Sequence, residues 1–176
     1  MPTPVQLVQT VIDTIRARDG VARGVCGTWS EPTPMPAEHL ASLRAPNGKA
    51  LPPALAAWLA FDASWLDLFD GAGRWRTTTA RDFAVAEAAE VAEELGEEEF
   101  DDEAIFGMVE AILEGLPRAA AGKAPAVRLP DSASQAHILI FDVPDGDGEY
   151  PMWGYEKGEL WIKYKNFGEF VAHWFG

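Results

Sequence analysis

The chain has 176 residues, 48% of them apolar, and a net charge of −14. That length suits one domain, or one domain with a small appendage, with a substantial core, and no apolar run approaches the ~20 residues of a bilayer-spanning helix. A single cysteine, Cys26, excludes an internal disulfide and a cluster of thiolate metal ligands.

The opening stretch, MPTPVQLVQTVIDTIRARDG, has no basic region followed by an apolar one. No signal peptide is therefore expected, and a cytoplasmic protein is. Val5, Val8, Val11, Ile12 and Ile15 recur at helical spacing and predict an amphipathic helix ending near Gly20. GTWSEPTPMPAEHLASLRAPNGKA is rich in proline and glycine and reads as loop around a short helical piece. In LPPALAAWLAFDASWLDLFDG the two prolines suit a helix start, and Leu55, Trp58 and Leu59 share a face. The second half of that stretch, through Trp65, Leu66, Leu68 and Phe69, is apolar enough to be buried, with Gly71 ending it.

EAAEVAEELG predicts a helix by propensity, with Gly96 as its C-cap. Ile105, Met108, Val109, Ile112, Leu113 and Leu116 then predict a further helix, capped by Asp101 or Asp102 and stopped by Pro117. After the small-residue connection RAAAGKAP, AVRL is a short strand candidate. AHILIFDV is a continuous apolar run, as expected of a strand buried on both faces. PDGDGEYP carries turn chemistry. PMWGYE and ELWIKYKN form a hairpin around Lys157 and Gly158, with Leu160, Ile162 and Tyr164 on one side and Trp161, Lys163 and Lys165 on the other. Phe167, Phe170, Val171, Trp174 and Phe175 return to helical spacing. Helices, then an antiparallel sheet, then a closing helix predict a single α+β domain spanning residues 1–176.

The last thirty residues hold nine of the nineteen aromatics. They fall on alternating strand positions and one helix stripe, the placement of core residues rather than of a stacking platform. Trp161, beside two lysines on the opposite face, needs a helix or a partner to cover it.

Charge is unevenly distributed. Between Asp82 and Pro117 there is no lysine or arginine, and thirteen acids: Asp82, Glu87, Glu90, Glu93, Glu94, Glu97, Glu98, Glu99, Asp101, Asp102, Glu103, Glu110 and Glu114. Direct nucleic-acid binding is disfavoured, because phosphate contacts need clustered cations. One reading is a solvated helix face. The other is a surface that steers a basic protein partner. It is favoured by uncompensated repulsion at i, i+3 and i+4 among Glu90, Glu93, Glu94, Glu97 and Glu98.

LPPALAAWLAFDASWLDLFDG resembles the opening of the SUKH superfamily, best known from its fungal Smi/Knr cell-wall-regulator branch. ILIFDVPDGDGEYPMWGYEKGELWIKYKNFGEFVAHWF resembles that family's second half: strand, acidic loop, YP, two strands and a final aromatic helix. The resemblance covers about a third of the chain directly, and the acidic helical insert from about Glu87 to Leu116 has no clear counterpart in it. It implies an α+β fold with one sheet packed against N-terminal and C-terminal helices. It also implies the role of the bacterial members, which are largely immunity proteins of polymorphic toxin systems. The expectation is a non-enzymatic protein that binds and neutralises a basic, nuclease-type toxin domain, without cofactor or metal. The resemblance does not locate the interface; the charge pattern does, with Glu93, Glu94, Glu97, Glu98, Glu99, Asp101 and Asp102 as the expected partner-binding residues and Trp161 as a candidate anchor.

Two alternatives stand beside this expectation: a regulatory or scaffold protein binding an endogenous host partner, and a hydrolase using the acids of DVPDGDGEY. That stretch brings Asp142, Asp145, Asp147 and Glu149 together, but its spacing departs from an EF-hand loop and Pro144 interrupts it. His39, His137 and His173 show no metal-ligand spacing. There is no G-x-S-x-G elbow, and DGAGRW lacks the Lys-Ser/Thr ending of a phosphate loop. Trp75 between Arg74 and Arg76 is too small a patch for a nucleic acid.

Overall fold

A computed structural model describes residues 1–17, 31–64, 67–96, 102–114, 123–132, 135–156 and 160–175. Within those ranges the side chains of residues 94, 95, 102, 130–132, 135, 155, 156, 160–163 and 175 lie outside the description. The order of elements is α1 (Pro4–Ala17), α2 (Ala37–Ser42), α3 (Pro53–Leu59), β1 (Thr77–Thr79), α4 (Ala80–Leu95), α5 (Asp102–Glu114), β2 (Pro125–Ser132), β3 (Gln135–Ile140), β4 (Met152–Glu156), β5 (Leu160–Tyr164) and α6 (Phe167–Phe175). The strands form one antiparallel sheet in sequence order. The α+β expectation is met.

The register explains where each layer sits. Val127, Leu139, Met152 and Tyr164 pair across four strands and share one face. They join Val8, Val11, Ile12, Leu55, Trp58, Phe167 and Phe170 in a core beneath α1, α3 and α6. One residue along each strand, Ala126 pairs with Ile140, and Ile138 with Trp153. These join Phe83, Ala84, Ala88, Val109, Ile112 and Leu113 of α4 and α5 in a second core. The acidic segment is thus more than an insert. It is the layer that covers the second face of the sheet.

Several boundaries differ from the sequence reading. The apolar run after Pro53 stops being helical at Leu59, although Phe61 and Leu68 are buried. Asp62, itself buried, takes over: its Oδ1 accepts hydrogen bonds from the Thr33 and Ser64 N–H groups and the Ser64 hydroxyl. A short acceptor competing for backbone donors in this way ends a helix. Trp65, Leu66, Gly20, Leu116, Pro117 and the Lys157–Gly158 turn lie outside the described residues. β1 was not expected. It is three threonines, and the last, Thr79, caps α4 by accepting from the Asp82 N–H at 3.1 Å. α4 therefore begins at Ala80, seven residues before the predicted helix.

Of the nine C-terminal aromatics, Tyr150, Trp153, Tyr164, Phe167 and Phe170 are buried and Trp174 is half-buried. Those residues are core, as alternation predicted. Tyr155, Trp161 and Phe175 have side chains outside the description.

α6 reaches the core because Gly168 lets it touch α1. A Cβ on Gly168 would stand 2.4 Å from the Pro4 carbonyl oxygen and 2.7 Å from the Pro4 Cα. Both neighbours are backbone, so the two helices would have to separate. Gly168→Ala is expected to lower unfolding free energy by about 2 kcal/mol, the usual scale of overpacking. Chemical denaturation measures it, and an unchanged midpoint would refute the close approach.

Candidate functional site

α4 and α5 are consecutive helices that pack on each other. Arg81, in the first turn of α4, donates to Glu110 Oε1 at 3.2 Å, late in α5, so the pair runs antiparallel. Four residues on from Arg81 is Val85, and four back from Glu110 is Phe106. Residues four apart stack on one helix face, so this alignment sets Val85 and Phe106 side by side. Val85 is 47% exposed and Phe106 61%. The outer face continues through Ala86, Ala89, Gly107 and Ala111, all exposed. Asp82 and Glu93 flank it on α4, and Glu103 and Glu114 on α5.

The cations missing from this segment's sequence arrive partly through space. Arg128 of β2 lies 3.0 Å from Glu87 and 3.9 Å from Glu90, over the Phe83 ring. Glu87 is 1% exposed, so Arg128 answers a buried carboxylate that would otherwise be costly. Both cations serve acids at the inner or lateral side of the helix pair. Among the described residues, the exposed Glu93, Glu103 and Glu114 make no ion pair. The outer face therefore keeps its negative charge.

Of the expected partner-binding residues, Glu93 stands exposed near the end of α4. Glu94 is in α4 and Asp102 opens α5, but their side chains are not described. Glu97, Glu98, Glu99 and Asp101 lie outside the described residues. Trp161 is in β5, paired with Tyr155, and its side chain is likewise outside. Sequence reasoning missed Val85, Phe106 and Gly107. The signal was present: Phe106 falls off the apolar stripe that begins at Ile105.

The other candidates resolve into structure. In DVPDGDGEY, Asp145 Oδ1 accepts from the N–H groups of Asp147 and Glu149, closing a turn. Glu149 turns inward and accepts from the Ala54 N–H at 2.7 Å, capping α3, whose preceding proline offers no side-chain cap. Its Oε2 is buried with no hydrogen-bond partner among the described residues. Asp70 closes a turn at Gly73 by accepting from the Ala72 and Arg74 N–H groups. Trp75 Nε1 donates to the Arg44 carbonyl, and Arg74 and Arg76 pair with Asp70 and Asp67. His39 and His173 are exposed, and His137 is buried against Tyr164, Phe170 and Trp174. Cys26 lies outside the described residues. Among the described residues no three His, Cys, Asp or Glu side chains are grouped to hold a metal, and no helix is long and apolar enough to cross a membrane.

No protein-family model matches the chain, and no curated protein matches it. Among solved structures, the fold is similar to that of an uncharacterized protein from Salmonella enterica subsp. enterica serovar typhimurium str. 14028s. The TM-score is 0.58 and the identity 18%, over 99% of this chain and 78% of that one. At that identity the likeness concerns the fold alone.

Glu149 and His137 make opposite contributions to stability. Burial, chiefly, raises Glu149 from 4.5 to about 7. Its contribution is full below pH 4.5 and is lost as pH rises through 7. Burial, then the nearby His173, lowers His137 from 6.5 to about 4. Its contribution is full above pH 6.5 and is lost as pH falls through 4. Between pH 4.5 and 6.5 the folded pair holds one proton on Glu149, and the unfolded pair holds one on His137, so the two slopes cancel. Glu149→Gln keeps an acceptor for Ala54 and removes one slope. Its stability is expected to rise by about 3 kcal/mol relative to the wild type between pH 4.5 and 7, read by denaturation across pH. Parallel profiles for the two proteins would contradict the assignment.

Proposed function

We propose that this chain is an immunity-type protein of the SUKH kind. In this reading it binds and neutralises a basic toxin domain, of nuclease type, by stoichiometric association, and performs no catalytic step. The observation that carries the reading is the outer face of α4 and α5. Its acids Glu93, Glu103 and Glu114 lack ion-pair partners among the described residues, while the inner face of the same helices is built into the core. Acid on a surface that the fold does not need to be acidic suits a cationic partner. It raises the encounter rate and repels nucleic acid and anionic lipid. A nuclease domain, whose own surface attracts phosphate, has the complementary charge. The sequence resemblance to the SUKH superfamily supports the same conclusion.

The test is a rescue assay. A candidate basic toxin domain, taken from the C-terminus of the product of a neighbouring gene, is expressed in a surrogate bacterium with and without this protein. Restored growth, and recovery of the two proteins in equal amounts, is the expected result. Equal killing with and without this protein would overturn the reading for that pair. Changing Glu93, Glu103 and Glu114 together to lysine is expected to slow association about tenfold at low salt and to flatten its salt dependence. Unchanged association kinetics would remove this face from the mechanism.

A further inference from the structure

We propose that Phe106 and Val85, with Gly107 beside them, form the apolar anchor point of the α4–α5 face, and that its occupant is a cationic amphipathic helix of the partner. This rests on the reading that the partner is a basic protein, and it names what that protein presents.

Three observations converge. Among the described residues Phe106 and Val85 are two of the few large apolar side chains left exposed, and the Arg81–Glu110 bond between α4 and α5, each four residues from one of them, puts both on the same outer face. A phenylalanine taken out of water by a partner is the kind of contact that dominates an interface. Gly107 is the second observation. It sits inside α5, where glycine costs up to about 1 kcal/mol relative to alanine. Among the described residues nothing requires it, because a Cβ built there meets nothing within 4 Å. A glycine unneeded by its own fold, beside an exposed aromatic, fits the close approach of a second backbone. Ala86, Ala89 and Ala111 keep the rest of the surface shallow, as helix packing needs.

The third observation is charge, and it selects the occupant. Glu93, Glu103 and Glu114 flank the apolar centre. A second copy of this chain would set these acids against their equivalents, and like charges facing each other are unfavourable. A helix with leucine-type residues along one face and lysine or arginine along its borders satisfies both the centre and the rim.

The experiment uses the full chain and two peptides of equal positive charge. One carries leucine on one helical face and lysine on the other; the second carries lysine and glycine only. The expected result is tighter binding of the amphipathic peptide to the wild type, weakened about tenfold by Phe106→Ala. Because Phe106 is exposed, the thermal midpoint of that variant should be unchanged. Gly107→Ala is expected to raise the thermal midpoint of the free chain while weakening the amphipathic peptide. A merely structural glycine would not show this opposition. Equal binding of both peptides, or variants that bind as the wild type does, would overturn the anchor. So would a dimer of the free chain that Phe106→Ala abolishes. Rescue of growth by variants lacking Phe106 and Gly107 would overturn the anchor while leaving the immunity reading intact. Peptide discrimination without rescue would do the reverse.

Discussion

Strand β3 is buried on both faces, and the rest of the molecule is arranged to meet that constraint. Its alternate residues enter different cores: His137 and Leu139 lie under α1, α3 and α6, while Ile138 and Ile140 face α4 and α5. A sheet with two apolar faces needs a helical layer on each. The first layer is apolar and aromatic. The second is drawn from the segment that carries nearly all the net charge. Its helices turn Phe83, Ala84, Ala88, Val109, Ile112 and Leu113 inward, while Glu93, Glu103 and Glu114 stand outward beside Val85 and Phe106.

The sidedness has an electrostatic consequence. Glu87 is the acid that enters the second core, and Arg128, on the sheet itself, meets it. Among the described residues, Arg128 and Arg81 are committed there and at Glu110. The outward acids are left to solvent or to a partner. Packing on the inside and charge on the outside are thus parts of one arrangement. The core dictates which residues must be apolar, and it leaves the outer face free to be chosen for binding.

Much of this arrangement was legible in the sequence because burial imposes a period. The hairpin and the stripe through Ile112 and Leu113 announced themselves by spacing, and the continuous apolar run AHILIFDV marked a strand buried on both faces, although the strand stops at Ile140 and Val143 is exposed. The parts that stayed hidden depend on contacts distant in sequence. Asp62 reaches back to Thr33, Glu149 caps a helix that begins at Pro53, and Arg128 crosses to Glu87. No local pattern encodes these pairings. The start of α4 was readable, since Thr79 and Asp82 stand at capping distance, but three threonines in a row obscured it. At the candidate site, the acids were conspicuous by number. Phe106 was legible only as a phenylalanine off the stripe through Ile105, Val109 and Ile112, and the packing of α5 on α4 was needed to show that its side points outward.

The central claim is that α4 and α5 are a structural layer of this fold rather than a charged attachment to it. Native-state hydrogen exchange of the intact chain tests it most directly. The inner-face amides at Phe83, Ala84, Val109 and Ile112 are predicted to open together with those of Ile138 and Ile140 in β3, at the free energy of global unfolding. Exchange of α4 and α5 orders of magnitude faster than β3, with β3 still protected, would contradict the account.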